Sequence, residues 1–182
     1  RDVSRIALLT HLSDATVAQR FAAGHTCYVA FLAQTPVAYG WVARTHAELG
    51  ELQLHLRLPA GECYLWDFAT LPAWRGLGIY PRLLQAILRA ERAARVWIAH
   101  APENRASQRG IRHAGFQMVG QLSLAQDGRA ALAQRGDPQR ALAGAALLAV
   151  PLITVHDAVE LNPCWGCFIT RQQTSNQPPR LC

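Results

Sequence analysis

The sequence predicts an α/β fold: a mixed central β-sheet, antiparallel at first and parallel later, flanked by helices and followed by a C-terminal extension. Three observations carry this. Two amphipathic helical stretches are followed by short β-prone runs separated by turn residues, the pattern of an antiparallel meander. Between Cys63 and His100 a strand, a glycine turn, a helix and a second strand follow in order, which is a parallel, right-handed crossover. Asp127-Gly128, between two apolar runs, marks a hairpin that closes the sheet.

Taken in order, Ile6, Leu8, Leu9, Leu12, Val17 and Phe21 fit helical turns, interrupted at Ser13-Asp14, which cap a second helix ending at Gly24. Cys27 to Leu32 and Val37 to Arg44 are rich in Val, Tyr, Phe and Trp and read as a hairpin around Ala33-Gln34-Thr35-Pro36. The stretch Thr45 to Gly50 reads as a loop. Glu51 to Leu58 alternates leucine with polar residues, a strand with one wet face. A turn at Pro59-Ala60-Gly61 leads to the strand at 63–70. The helix that follows runs to Ala94, its apolar stripe Leu83, Leu84, Ile87 and Leu88 opposite Arg82, Arg89 and Arg92. Val96 to His100 is a short strand, Glu103 to Ala114 a helix stopped by Gly115, and Phe116 to Gln126 a strand. Asp137-Pro138 starts a terminal helix to Val150, and Thr174 to Cys182 reads as a mobile tail. The expected division is a domain over 1–134 and an extension over 135–182 packed on or beside it.

The 182 residues are 51% hydrophobic and 16% charged, enough for a substantial core. The net charge of +6 comes from arginine alone, since the chain has no lysine, so it is weak evidence about partners. The arginines are scattered without a basic run interleaved with aromatics, which argues against nucleic acid. The longest apolar run, Ala141 to Val155, is shorter than the roughly 20 residues a membrane span needs and is broken by Pro151. It reads as a buried helix then a strand, and suits a homodimer interface as readily as a core. No signal peptide is visible at Arg1 to Leu12, and 5 irregularly spaced cysteines do not make a secreted disulfide framework, so a cytoplasmic protein is expected. Cys164-Trp165-Gly166-Cys167, with His156, Cys63 and Cys182 as further donors, is a weak zinc signal without a second Cys pair, and no metal site is expected.

The turn Arg75-Gly76-Leu77-Gly78-Ile79-Tyr80 opens a helix after a strand, so its glycines let several backbone N–H groups converge on one anion. A P-loop would need lysine. A dinucleotide fingerprint would need a third glycine where Pro81 stands. What remains, Arg75-x-x-Gly78-x-Tyr80 preceded by Leu71-Pro72-Ala73-Trp74, resembles the acetyl-CoA-binding motif of the GCN5-related N-acetyltransferase (GNAT) family. A second match, Asn104-x-x-Ser107 followed by Gly115-Phe116, resembles that family's next helix and its close. The resemblance covers about residues 15 to 134. It implies a GNAT-like fold and acetyl-CoA-dependent transfer of an acetyl group to a primary amine, in a small molecule or a peptide, by direct transfer in a ternary complex. It implies that the backbone of Phe68 and Thr70 holds the pantetheine arm, Arg75 and the amides of Gly76, Leu77, Gly78, Ile79 and Tyr80 the pyrophosphate, and Asn104 the cofactor near its reactive end. Tyr80 stands where the family has a small residue, and Ile111 where it often has the tyrosine that protonates the leaving thiolate. A CoA-binding module without turnover, and an acyltransferase with another acyl group or acceptor, are the alternatives.

Three side chains are candidates for the chemistry. By strand alternation Asp67 shares a face with Leu65 and Ala69, apolar company that would make it a base. His100 ends the parallel strand and is a second proton acceptor. Ser107 is a donor to the thiolate or cofactor, or else a serine bonded to its own helix. His113, near Ile111, reads more simply as a solvated residue at a helix C-terminus.

Overall fold

A computed structural model describes residues 2–49, 54–158 and 167–172. Helices α1 (Val3–Thr10) and α2 (Asp14–Ala22) begin where Asp2 and Ser13 side chains accept the N–H groups of Arg5 and Thr16, each at 3.1 Å. β1 (Thr26–Leu32) and β2 (Thr35–Ala43) form the expected hairpin. The Thr45 to Gly50 stretch is not all loop: β3 (His46–Leu49) pairs antiparallel with β4 (Leu54–Arg57) in a small sheet of their own. In β4 the leucine alternation holds, with Leu56 buried between exposed His55 and Arg57.

β5 (Glu62–Thr70), α3 (Ile79–Glu91) and β6 (Arg95–His100) make the parallel crossover, with a 3-10 turn at Pro72–Trp74 between β5 and α3. After α4 (Arg105–His113), β7 (Gln117–Leu124) and β8 (Ala130–Gln134) form the Asp127-Gly128 hairpin, and α5 (Pro138–Leu148) starts at an Asp137 cap. The sheet does not end there. β9 (Leu152–Ile153) pairs parallel with β8, and β10 (Cys167–Gln172) threads antiparallel between β6 and β7, giving the order β1-β2-β5-β6-β10-β7-β8-β9. Such pairings join segments far apart in the chain, so no local pattern announces them.

Two layers of helix cover the sheet. On one face Leu83, Leu84, Ile87 and Leu88 of α3 pack with Ile111 of α4 against Val42, Leu65, Val96 and Ile98. Each such side chain contributes roughly 1.5–3 kcal/mol when fully buried. On the other face α1 and α2 cover Tyr39 and Trp41, while α5 and the β3–β4 hairpin cover Tyr64 and Trp97. Glu91, at the end of α3, accepts from Tyr28 and from two nitrogens of Arg44, tying the helix to β1 and to the end of β2. Burial pushes the free thiols of Cys27 and Cys63 up to about 12, so both stay protonated and unreactive. Cys164 and the Thr174 to Cys182 tail lie outside the described residues. No helix among the described residues is long and apolar enough to cross a membrane.

The feature that makes a site lies along β5. β5 and β6 are paired only from Glu62 with Arg95 to Leu65 with Ile98; beyond that they part. There, two residues of β5, Asp67 and Phe68, face the single residue Gly40 of β2, a β-bulge with Asp67 at φ +48°.

Behind the bulge, His25 is buried edge-on to Trp66 and donates its Nε2–H to the carbonyl of His46 at 3.2 Å. Burial holds its pKa below the usual 6.5. As pH falls through about 6.5 the unfolded chain takes up a proton here that the folded one refuses, so this contribution to stability is complete above that pH and drains away below it. Melting temperature should therefore fall between about pH 7.5 and 5.5, and His25→Gln should flatten that fall; parallel curves for the two proteins would refute the assignment.

Candidate active site

Where β5 and β6 part, a pocket of about 940 Å³ runs from the turn before α3 to the start of α4. Its floor is the α3 N-terminus. Gly76 and Gly78 have φ of +80° and +70°, and a Cβ at either would meet nothing within 4 Å, so nothing packs over the turn at either glycine. No side chain caps α3, which leaves the first-turn N–H groups and the helix dipole for an anion. Arg75 steadies this turn by donating Nε–H to the carbonyl of Thr70 at 3.1 Å. Leu77 is 56% exposed and does not border the pocket.

The bulge redirects the end of β5. The Phe68 ring swings onto the α3 face and lies where a Cβ of Gly40 would be, 2.0 Å from the nearest ring carbon. Asp67 does not share the apolar face of Leu65; it is exposed and turns toward α2, where Arg20 holds its carboxylate at 2.5 Å. The Arg20 guanidinium in turn lies over Trp66 at 4.3 Å and Trp41 at 4.9 Å. The expectation of a carboxylate in apolar surroundings is thus corrected to an ion pair framed by indoles, because the extra residue of the bulge breaks the two-residue period.

On α4, Asn104 is the N-cap: its Oδ1 accepts the N–H of Ser107 at 3.0 Å, which leaves its side-chain NH₂ as the group free to donate. The Ser107 Oγ lies 3.3 Å from the Tyr80 hydroxyl, a partner on α3 and not the backbone of its own helix. Tyr80 reaches across from α3, its ring edge-on to Phe68 at 5.6 Å and seated on Gly110, where a Cβ would stand 2.4 Å from the ring. Burial pushes the phenol up to about 12, with the Ser107 bond pulling weakly the other way. Ile111 is fully buried in the core and presents nothing to the pocket. His100 follows Val96 and Ile98 in the row that faces α3 and α4. It donates Nδ1–H to the carbonyl of Ala101 at 2.9 Å, which leaves Nε2 as a lone pair, buried and without a protein partner.

The model of the acetyltransferase (GNAT) family matches residues 5–116. The chain belongs to the GNAT family. Among solved structures, AAC(6')-Ib in complex with paromomycin and acetyl-CoA is 13% identical at TM-score 0.53, covering 88% of this chain and 75% of that one. The GNAT phosphinothricin acetyltransferase of Sinorhizobium meliloti in complex with acetyl-CoA is 15% identical at TM-score 0.52, covering 92% and 75%. The putative acetyltransferase yncA of Salmonella typhimurium with acetyl-CoA is 16% identical at TM-score 0.51, covering 99% and 90%. These identities establish the fold alone. No curated protein sequence matches the chain.

In this GNAT chain Asp67, Phe68, Thr70, Arg75, Gly76, Gly78, Ile79, Tyr80, His100, Asn104 and Ser107 all border one pocket, and Leu77 stays outside. The residues that sequence reading missed are Arg20, Trp66, Arg109 and Gly110. Only Gly110 had a visible signal: a glycine inside a helix costs about 1 kcal/mol against alanine and so asks for a packing reason. Gly110→Ala should accordingly lower the melting temperature despite its better helix propensity, because overpacking against the Tyr80 ring costs about 1–3 kcal/mol. Adding Tyr80→Ala should remove the clash and let alanine stabilise the helix; a stabilised single variant would show the ring is not seated there.

Proposed function

We propose that the protein is an N-acetyltransferase that takes an acetyl group from acetyl-CoA and passes it directly to a primary amine in a ternary complex. The observation that carries this is the coincidence, in one pocket, of an uncapped two-glycine helix N-terminus with a gap between two parallel strands. The first suits a pyrophosphate and the second an extended arm. Family membership and neighbours whose structures hold acetyl-CoA support the choice of donor.

In this reading Arg75 and the amides of Gly76–Tyr80 hold the pyrophosphate, the free edge of β5 at Phe68 and Thr70 holds the pantetheine amides, and the Asn104 NH₂ bonds the donor near its thioester. Bound acetyl-CoA supplies an activated acyl carbon with a thiolate leaving group. The chain's work is then chiefly positioning, plus disposal of the proton that a neutral amine sheds on acylation. With the donor seated against α3 and α4, the acceptor must come from the other face of the sheet. That is where Asp67 stands, and we assign it as the carboxylate that takes up the amine's proton, directly or through water. His100, on the donor's face, offers Nε2 to an N–H of the bound donor rather than to the incoming amine.

A second reading, a CoA-binding module without turnover, is favoured by one observation, the burial of Ile111 where a hydroxyl is frequent in the family.

A panel of polyamines, aminoglycosides and peptide N-termini scored for acetyl-CoA-dependent thiol release tests the assignment. At least one class should turn over, and clear CoA binding with no release from any amine would favour the binding module. Gly78→Val, which needs φ +70° in a β-branched residue, should weaken CoA binding by about tenfold or more. Asp67→Asn should depress kcat while leaving CoA binding unchanged; an unchanged kcat would remove Asp67 as base.

A further inference from the structure

We infer that Arg109 of α4 is the seat of the donor's ribose 3′-phosphate, so that the protein selects CoA thioesters over donors that lack this phosphate. The inference deepens the acetyltransferase reading and rests on it. α4 concentrates like charge on a short helix: its 9 residues include Arg105, Arg109 and Arg112 and no acidic residue. Like charges three and four positions apart are neighbours on a helix surface and weaken it. The negative end of the helix dipole offsets Arg112 in the last turn. Arg109, in the middle of the helix, gains little from the dipole and pairs with no carboxylate among the described residues.

Of the three arginines, Arg109 alone borders the pocket. Ala106, Arg109, Gly110 and His113 line it, the i, i+3, i+4, i+7 pattern of a single helix face, whereas Arg105 and Arg112 do not. Tyr80 fixes where along the pocket this face lies. Its ring belongs to the first turn of α3 and sits on Gly110, so the middle of α4 stands against the turn that seats the pyrophosphate, with Arg109 beside the contact. In CoA the 3′-phosphate is carried on the ribose next to the pyrophosphate, only a few bonds away, so a cation flanking the pyrophosphate seat is within its range. The other arginine on the wall, Arg75, donates Nε–H to the Thr70 carbonyl at 3.1 Å and belongs to the pyrophosphate turn itself. Asp67, the one carboxylate on the wall, is held by Arg20 at the strand gap.

A phosphate monoester suits this group. A guanidinium presents two parallel N–H donors to two phosphate oxygens, a match that neither a lone hydroxyl nor an amide offers. A donor whose arm ends at the phosphopantetheine phosphate, as on a carrier protein, brings nothing to Arg109. The contact makes and breaks no bond and lies away from the acyl carbon. It holds the donor equally in the ground state and the transition state, so it acts on KM for acetyl-CoA and not on kcat.

Isothermal titration of CoA and of 3′-dephospho-CoA into the wild type, Arg109→Gln and Arg109→Lys tests this without an acceptor. Glutamine removes the charge and keeps a good helix former at an exposed position. The wild type should bind CoA about tenfold more tightly than dephospho-CoA, and Arg109→Gln should erase the difference by weakening CoA alone. Arg109→Lys should keep part of the preference, and added salt should shrink it in the wild type. In turnover Arg109→Gln should raise KM for acetyl-CoA by a similar factor with little change in kcat. Equal affinities of the wild type for the two ligands would overturn the assignment, as would an Arg109→Gln variant that keeps the wild-type preference. An Arg109→Gln variant that weakens both ligands alike would also overturn it, by putting the guanidinium on the pyrophosphate. The expected preference with no turnover of any amine would refute amine acetylation and leave the 3′-phosphate seat standing. A wild type that binds neither ligand would refute both.

Discussion

One extra residue in β5 is the constraint on which the site depends. Because Asp67 and Phe68 share the single partner Gly40, β5 bends while keeping its register with β2 on either side, from Tyr64 opposite Ala43 to Thr70 opposite Ala38. The bend is what separates β5 from β6 after Leu65. A straight β5 would continue its parallel pairing toward His100, and the hydrogen-bonding groups now free at the gap would be spent on the sheet. The positive φ that the bulge demands falls on aspartate, a residue that enters the left-handed region at modest cost, about 1 kcal/mol. The Phe68 ring then needs a partner without a side chain, which Gly40 supplies.

What was legible in the sequence follows from this. Features that depend on neighbours in the chain could be read directly: the glycine turn, the stripe of α3, the Ser13 and Asp137 caps, the Asn104 helix, and the order of elements around the crossover. Features that depend on register or distant partners could not. Alternation placed Asp67 beside Leu65, since nothing in Trp66-Asp67-Phe68 signals an inserted residue. β10 was invisible because its neighbours, β6 and β7, are chosen by edges left open elsewhere in the sheet. β3 was read as loop because His46–Leu49 is short and owes its strand conformation to β4. The pocket's membership was legible nonetheless, since its residues come from two local motifs that the crossover necessarily brings together.

The bulge also divides the chemistry between two faces. Turned by one residue, Asp67 meets Arg20 of α2, and the guanidinium that holds it is pinned over Trp41 and Trp66. His100 keeps the unbroken alternation of β6 and stays on the face of α3 and α4. Two proton acceptors that look like alternatives in the sequence therefore reach the one pocket from different strands, Asp67 from the bulge of β5 and His100 from the end of β6. The ion pair gives the α1–α2 face a carboxylate of defined orientation, and the lone nitrogen of His100 gives the other face an acceptor whose tautomer is set by Ala101.

Tyr80 and Gly110 explain each other where neither is explained alone. A large ring at the end of a glycine turn would be expected to crowd the anion seat, and a glycine in the middle of a short helix weakens that helix. Together they form a lock between α3 and α4: the ring occupies the space that a side chain at 110 would fill, and its hydroxyl lands on Ser107. The same lock accounts for Ile111. With the ring seated on one side of α4, the next residue is free to face inward, and it packs with Leu84 and Ile87 instead of carrying a polar group to the pocket. A hydroxyl there would need a partner in that apolar layer, and leaving one unpaired costs roughly 1–3 kcal/mol.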